Sequence, residues 1–197
     1  MMKNKQAELI KNMDDKVLVL NVWLTQLILL VISVVLGFFL FDHFNDFCSL
    51  FEWNDRNIII WGVSVGIGIV LIDLLLMKII PSSWYDDGGI NERIFSSLPI
   101  WHIFLVTLAV AVGEEILFRG VIQHHTNIWI ASIIFAIVHY RYLFKPYLFI
   151  NVTVLSLFIG FIFQETNNLM VTITAHFLID FLLGLYIRLN YLHKIKN

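Results

Sequence analysis

The feature that most constrains this chain is Val17–Phe41, 25 consecutive residues without a charged side chain. A bilayer hydrocarbon core about 30 Å thick is crossed by roughly 20 apolar helical residues, so a run of this length reads as a membrane-spanning helix. It exceeds the apolar core of a signal peptide, and no small-residue cleavage site follows it, so it reads as an uncleaved anchor. Five further segments approach the same requirement. Asn57–Ile80 is apolar except for Asp73 and Lys78, and Leu98–Ile122 is uncharged for 16 residues before it meets Glu114, Glu115 and Arg119. Ile128–Tyr140 is short, with Pro146 limiting its extension, Tyr147–Phe163 is uncharged, and Leu169–Leu189 carries only His176, Asp180 and Arg188. None shows the alternation of a barrel strand. The expected fold class is all-α, a polytopic membrane helical bundle of about six transmembrane helices. One domain fills residues 1–197, without linker or repeat.

Composition narrows the functional classes. Of the 197 residues 59% are hydrophobic and 14% charged, against about 25% charged in a soluble domain. That excludes a soluble globular domain and a disordered chain. A nucleic-acid partner is excluded too: it would demand a clustered basic excess, and here 13 Lys and Arg face 15 Asp and Glu. The single cysteine, Cys48, permits no intramolecular disulfide and no cysteine-based metal site.

Orientation follows from basic residues, which favour the cytoplasmic side. With six crossings and the N-terminus inside, eleven of the 13 Lys and Arg fall on the inner side. Arg56 is left in an outer loop and Arg119 within a span. The expected setting is a cell membrane, multi-pass, with both termini cytoplasmic. Lys3–Lys16, polar and helix-prone, is predicted to be a cytoplasmic interfacial helix. Pro81–Ser97, with Trp84, Tyr85, Asp86, Asp87, Gly88 and Gly89, is predicted to be a turn-rich interfacial connection.

Charge inside a bilayer is costly, about 2.5–3.5 kcal/mol per residue at a helix centre even on the lenient insertion scale. Such groups persist where they pair, line a cavity or react. At 1.5 Å per residue from the outer end of each span, Glu114 lies roughly 12 Å deep, His139 roughly 17 Å, and His176 and Asp180 roughly 10 and 17 Å. Three spans therefore bring carboxylates and imidazoles to one level. Glu115 and Arg119 are four residues apart on one helix and can pair. His176 and Asp180 share a face for the same reason, and Gly113 and Gly120 would allow a neighbouring helix to approach closely. Asp73 has no motif partner and reads as structural or facing an internal cavity. His124 and His125 follow a span and read as solvated.

These residues form three ordered motifs. Gly113-Glu114-Glu115-Ile116-Leu117-Phe118-Arg119-Gly120 contains EExxxR, Phe135-Ala136-Ile137-Val138-His139 is FxxxH, and His176-Phe177-Leu178-Ile179-Asp180 is HxxxD. Their order on successive apolar segments resembles the CPBP family, the CAAX prenyl endopeptidases and bacteriocin-processing enzymes also called Abi. The resemblance covers about residues 98–189. It implies a metal-independent intramembrane glutamic endopeptidase needing no cofactor. In that pattern Glu114 is the general base, His139 holds and polarises the same water, and His176 stabilises the oxyanion. Glu115 and Arg119, with Phe135, are supporting residues. Where the prenyl-endopeptidase branch has Asn, this chain has Asp180. An ionised aspartate cannot donate to an oxyanion, so Asp180 is expected to orient His176.

Other readings use the same residues. Two histidines and a carboxylate can bind zinc, although HExxH is absent. A non-proteolytic membrane immunity or partner-binding protein would keep the fold without the chemistry, and a transporter would use the groups as a proton relay. The partners expected are the lipid bilayer and a peptide or membrane-protein substrate.

Overall fold

The computed structural model describes residues 13–143 and 145–196, and every regular element among them is a helix. Most of Lys3–Lys16, the predicted interfacial helix, lies outside the described residues. Asp14 caps the first helix, its carboxylate accepting from the Lys16 N–H at 2.9 Å. That helix, α1, is Asp15–Leu40. A short α2 follows, Phe44–Cys48. A π-helical turn, Ile58–Val63, then runs directly into α3, Ser64–Ile79.

The Pro81–Ser97 connection is more regular than expected. It holds a single turn, α4 (Ser82–Tyr85), and an eight-residue helix, α5 (Ile90–Ser97). Gly88 and Gly89 take left-handed backbone angles just before α5, conformations that glycine adopts without steric cost. The Asp87 carboxylate accepts from the N–H groups of Ile90 and Asn91. Ile90 and Ile94, one turn apart, are buried with Leu18, Val19 and Leu98. Capping and this apolar pair outweigh the turn-forming residues upstream.

The remaining elements carry the motifs. Helix α6, Ile100–Glu115, passes into a π-helical stretch, Ile116–Gln123. Helix α7 is Ile128–Val138, its first turn capped by the Asn127 side chain at 3.0 Å from both the Trp129 and Ile130 N–H groups. A 3-10 turn, Tyr140–Tyr142, leads to α8, Pro146–Thr166, and then α9, Leu169–Lys196. Five helices are long and apolar enough to cross a membrane; α7, with 11 residues, is the short one. At 1.5 Å per residue it covers about half the hydrocarbon core. The protein is thus an all-α, multi-pass membrane bundle, in which the expected fourth span is a helix of about half the needed length, followed by a 3-10 turn.

Side chains tie the two ends of the bundle. At one end Arg93 pairs with Asp15 at 2.7 Å, Arg188 donates to the Ser96 carbonyl, and Lys194 reaches Glu92 at 3.9 Å. The start of α1 and the end of α9 therefore meet on α5. At the other end the Asn168 amide donates to the Glu52 carbonyl at 2.8 Å and to Asp55 at 3.1 Å, while the Leu169 N–H donates to the Leu50 carbonyl at 2.7 Å. Hydrogen bonds from the Asn57 N–H and from Asn168 hold the Asp55 carboxyl below the usual aspartate range. His124 is exposed, as expected, and His125 is half-buried. Both pack on Phe41, and His125 Nδ1 lies 2.8 Å from the Val121 carbonyl.

Packing inside is close. A Cβ on Gly62 would lie 2.9 Å from the Val171 carbonyl oxygen, and one on Gly66 would lie 2.9 Å from Leu178 Cβ and 3.0 Å from the Ala175 carbonyl oxygen. The π-helical turn and α3 together thus approach the α9 backbone along a four-residue glycine spacing, the small-residue contact that suits association in lipid. Large apolar side chains such as Phe38 and Phe39 point outward, onto the surface that a bilayer covers.

Candidate active site

The EExxxR segment sits where α6 gives way to the π-helical turn, against α9. Glu115 is fully buried and uses both oxygens. Oε2 lies 3.3 Å from Arg119 Nε, and Oε1 lies 2.9 Å from His176 Nδ1. The Arg119 contact brings the charges together without an aligned hydrogen bond. A carboxylate only accepts, so His176 donates from Nδ1. The opposite ring nitrogen, Nε2, then faces Asp180 at 3.5 Å and Glu114 at 4.0 Å. The i,i+4 relation of His176 and Asp180 is therefore a contact, as the HxxxD spacing implied.

Arg119 is also almost wholly enclosed, at 1% exposure. Its Nη2 donates to Ser156 Oγ on α8 at 3.0 Å, and its guanidinium lies 5.6 Å from the centroid of the Phe135 ring. One helical turn on, Gln123 donates to the Gly160 carbonyl at 2.7 Å. Two rungs thereby lock the EExxxR helix to α8.

His139 lies just past the end of α7, with backbone angles outside the helix. Phe135 holds it twice. The His139 Nδ1 is 2.8 Å from the Phe135 carbonyl, and the two rings stack with centroids 4.4 Å apart. The FxxxH spacing supplies both contacts, because residue i−4 offers its carbonyl at a helix C-terminus. With Nδ1 donating, a neutral His139 keeps its lone pair on Nε2.

Glu114 is where these parts converge. It is 8% exposed, His176 Nε2 approaches its carboxylate at 4.0 Å, and His139 and Asp180 lie within electrostatic reach. The three motifs thus bring their ionisable side chains within electrostatic reach of one carboxylate. Among the described residues no group of three or more His, Cys, Asp or Glu side chains is arranged to hold a metal ion.

The sequence model of the family described as "Type II CAAX prenyl endopeptidase Rce1-like" matches residues 96–182. A second similarity extends further. The chain is 44% identical over 174 residues, 88% of its length and 92% of the relative's, to the uncharacterized protein YpbD of Bacillus subtilis (strain 168). The chain belongs to the Rce1-like family. No solved structure matches it.

In this Rce1-like chain the matched segment encloses all three motifs and the whole cluster around Glu114. The similarity to YpbD also takes in most of what precedes it. Ser156 went unforeseen as the partner of Arg119. Its only trace was a hydroxyl in the otherwise uncharged run Tyr147–Phe163. The second contact of Glu115, to His176, was equally out of reach, since spacing reports neighbours on one helix and these two are 61 residues apart. Asp73 lies outside the matched segment; Asn151 on α8 is 3.5 Å from it.

Proposed function

We propose that this chain is a metal-independent intramembrane endopeptidase that hydrolyses a peptide bond with a water activated by Glu114. The observation that carries the reading is the placement of His176 Nε2, on α9, 4.0 Å from Glu114, with Asp180 of the same helix 3.5 Å from that nitrogen and His139, just past α7, within electrostatic reach. Glu114 takes a proton from water as the water oxygen attacks the scissile carbonyl carbon. The His139 Nε2 lone pair holds and polarises the same water. The carbonyl oxygen becomes an oxyanion beside His176, which in its imidazolium form donates from Nε2 while Nδ1 stays on Glu115. Glu114 then returns the proton to the leaving nitrogen, and the C–N bond breaks. Asp180 only accepts, so its part is to hold the His176 ring. Arg119 offsets the charge of Glu115 and keeps it away from the base.

The substrate class is a short hydrophobic peptide or a membrane-protein segment, presented at the depth of the site. Peptide maturation and immunity functions use such substrates. The peptide that accumulates uncut in a Glu114→Ala strain identifies it.

The test uses the purified full chain in lipid nanodiscs with a peptide library. Hydrolysis should survive chelation and fall by at least about a hundredfold in Glu114→Gln, the range over which a positioned general base acts. Loss on chelation that zinc restores would replace this reading with a zinc protease. Undiminished turnover by Glu114→Gln would remove Glu114 as the base. A folded chain that cuts nothing and still captures a partner would leave the immunity or partner-binding reading.

A further inference from the structure

Asp87 precedes α5 and lies outside the residues that the family model matches. It is 7% exposed at its side chain and does more than cap α5: its Oδ2 lies 3.2 Å from Arg141 Nη2. The same Nη2 donates to the Tyr142 hydroxyl oxygen at 2.7 Å, and the guanidinium lies 4.8 Å from the centroid of the Tyr142 ring. Tyr142 in turn stacks toward His139, with centroids 6.1 Å apart and planes at 20°. The contact series is therefore Asp87, Arg141, Tyr142, His139, Phe135, Arg119, Glu115. Three near-parallel rings run between two guanidiniums, and a carboxylate holds each guanidinium.

The ring of His139 needs such support. Its backbone has left α7, so helix geometry no longer fixes its side chain. Its Nδ1 is committed to the Phe135 carbonyl, which leaves Nε2 as the nitrogen that meets water. Rotation of the imidazole about its own bonds swings Nε2, and a displacement of about 1 Å at a reacting centre costs about a hundredfold in rate. Phe135 steadies the ring from within the membrane helix. Tyr142 steadies it from the connection that follows, and Arg141 and Asp87 fix Tyr142.

We propose that Tyr142 and Arg141 are positioning residues for His139, anchored by Asp87, so that the connection before α5 sets the angle at which His139 Nε2 meets the nucleophilic water. This rests on the reading of Glu114 and His139 as the water-activating pair.

The experiment compares kcat and KM of the full chain in nanodiscs for Tyr142→Leu, Tyr142→Phe, Asp87→Arg, Arg141→Asp and the charge-swapped pair. The imidazole nitrogen signals of His139 are recorded alongside, assigned by their loss in His139→Gln. Tyr142→Leu and each single charge reversal should lower kcat by about tenfold to a hundredfold, with KM unchanged and the His139 signals displaced. Tyr142→Phe keeps the ring beside the Arg141 guanidinium but loses the hydroxyl contact, and should fall between the wild type and Tyr142→Leu in both. The swapped pair returns the ion pair without the Arg141–Tyr142 contact and should stay as low as Arg141→Asp; recovery of kcat in it would overturn the role of Arg141, and Tyr142→Phe, the mildest change, keeps the test decisive where another variant folds poorly. Unchanged kcat in Tyr142→Leu, an equal loss in Tyr142→Phe, or a rise in KM alone would overturn the proposal. Wild-type hydrolysis that does not depend on Glu114 would overturn the parent reading. The His139 signals judge the placement of the ring apart from it, and unmoved signals in Tyr142→Leu would overturn that placement.

Discussion

Glu114 and Glu115 are adjacent and chemically identical, yet their surroundings separate them. Glu115 is sealed, its charge spent on Arg119 and His176, whereas Glu114 keeps slight exposure and has His176 Nε2 at 4.0 Å as its ionic neighbour. Removing one partner of a buried ion pair costs about 3–5 kcal/mol, because the other charge is left uncompensated. Glu115→Ala should therefore lower the melting temperature of the purified chain and its yield in membranes. Arg119→Ala should do the same, through loss of Glu115, Ser156 and the Phe135 face together. Glu114→Gln should leave melting unchanged while it abolishes turnover. If Arg119→Ala melts like the wild type and only turnover falls, Arg119 belongs to the reacting groups. The pairing of Glu115 with Arg119 was legible from their spacing. The bridge from Glu115 to His176 was not, because one helix's period carries no information about which face another helix presents.

At the scale of elements, the site depends on where helices stop and how closely they pack. Helix α7 ends at Val138 after 11 residues, and that early end should put His139 at mid-depth rather than at the far surface. The sequence showed the segment to be short, and Pro146 showed where it could not continue; the 3-10 turn between them had no signature of its own. The α5 helix was hidden by Gly88 and Gly89, although Asp87 followed by Ile90 and Ile94 is a cap followed by an apolar face. The contact of the π-helical turn and α3 with α9 is set by Gly62 and Gly66, a glycine pair four residues apart. Gly66→Leu should force α3 away from the backbone of α9, and overpacking of this kind costs about 1–3 kcal/mol. Gly68→Leu is the matched control, since a Cβ there meets nothing within 4 Å. Thermal unfolding of the two variants checks this; equal melting of both would mean that the close approach contributes nothing to stability.

For the whole molecule, the side-chain ties decide how the half-length helix affects topology. A chain with only five crossings would end on the side opposite its start. Here the start of α1 and the end of α9 share one end of the bundle through Arg93–Asp15, Lys194–Glu92 and the Arg188 contact with Ser96. The segment after α7 returns to that same end, where Arg141 meets Asp87 and Lys145 donates to the Ser83 carbonyl at 3.3 Å. Helix α7 and its following turn should therefore act together as a crossing. The end so defined gathers Arg93, Arg141, Lys145, Arg188 and Lys194, while Arg56 lies toward the other, near the Asn168 clamp. By the positive-inside tendency the basic end should face the cytoplasm. A reporter active only in the cytoplasm should work when fused after Asn197 and fail when inserted between Asp42 and Arg56, and a reporter active only outside should do the reverse. An external signal from the Asn197 fusion would invert the protein and place the Asp87–Arg141 connection outside the cell.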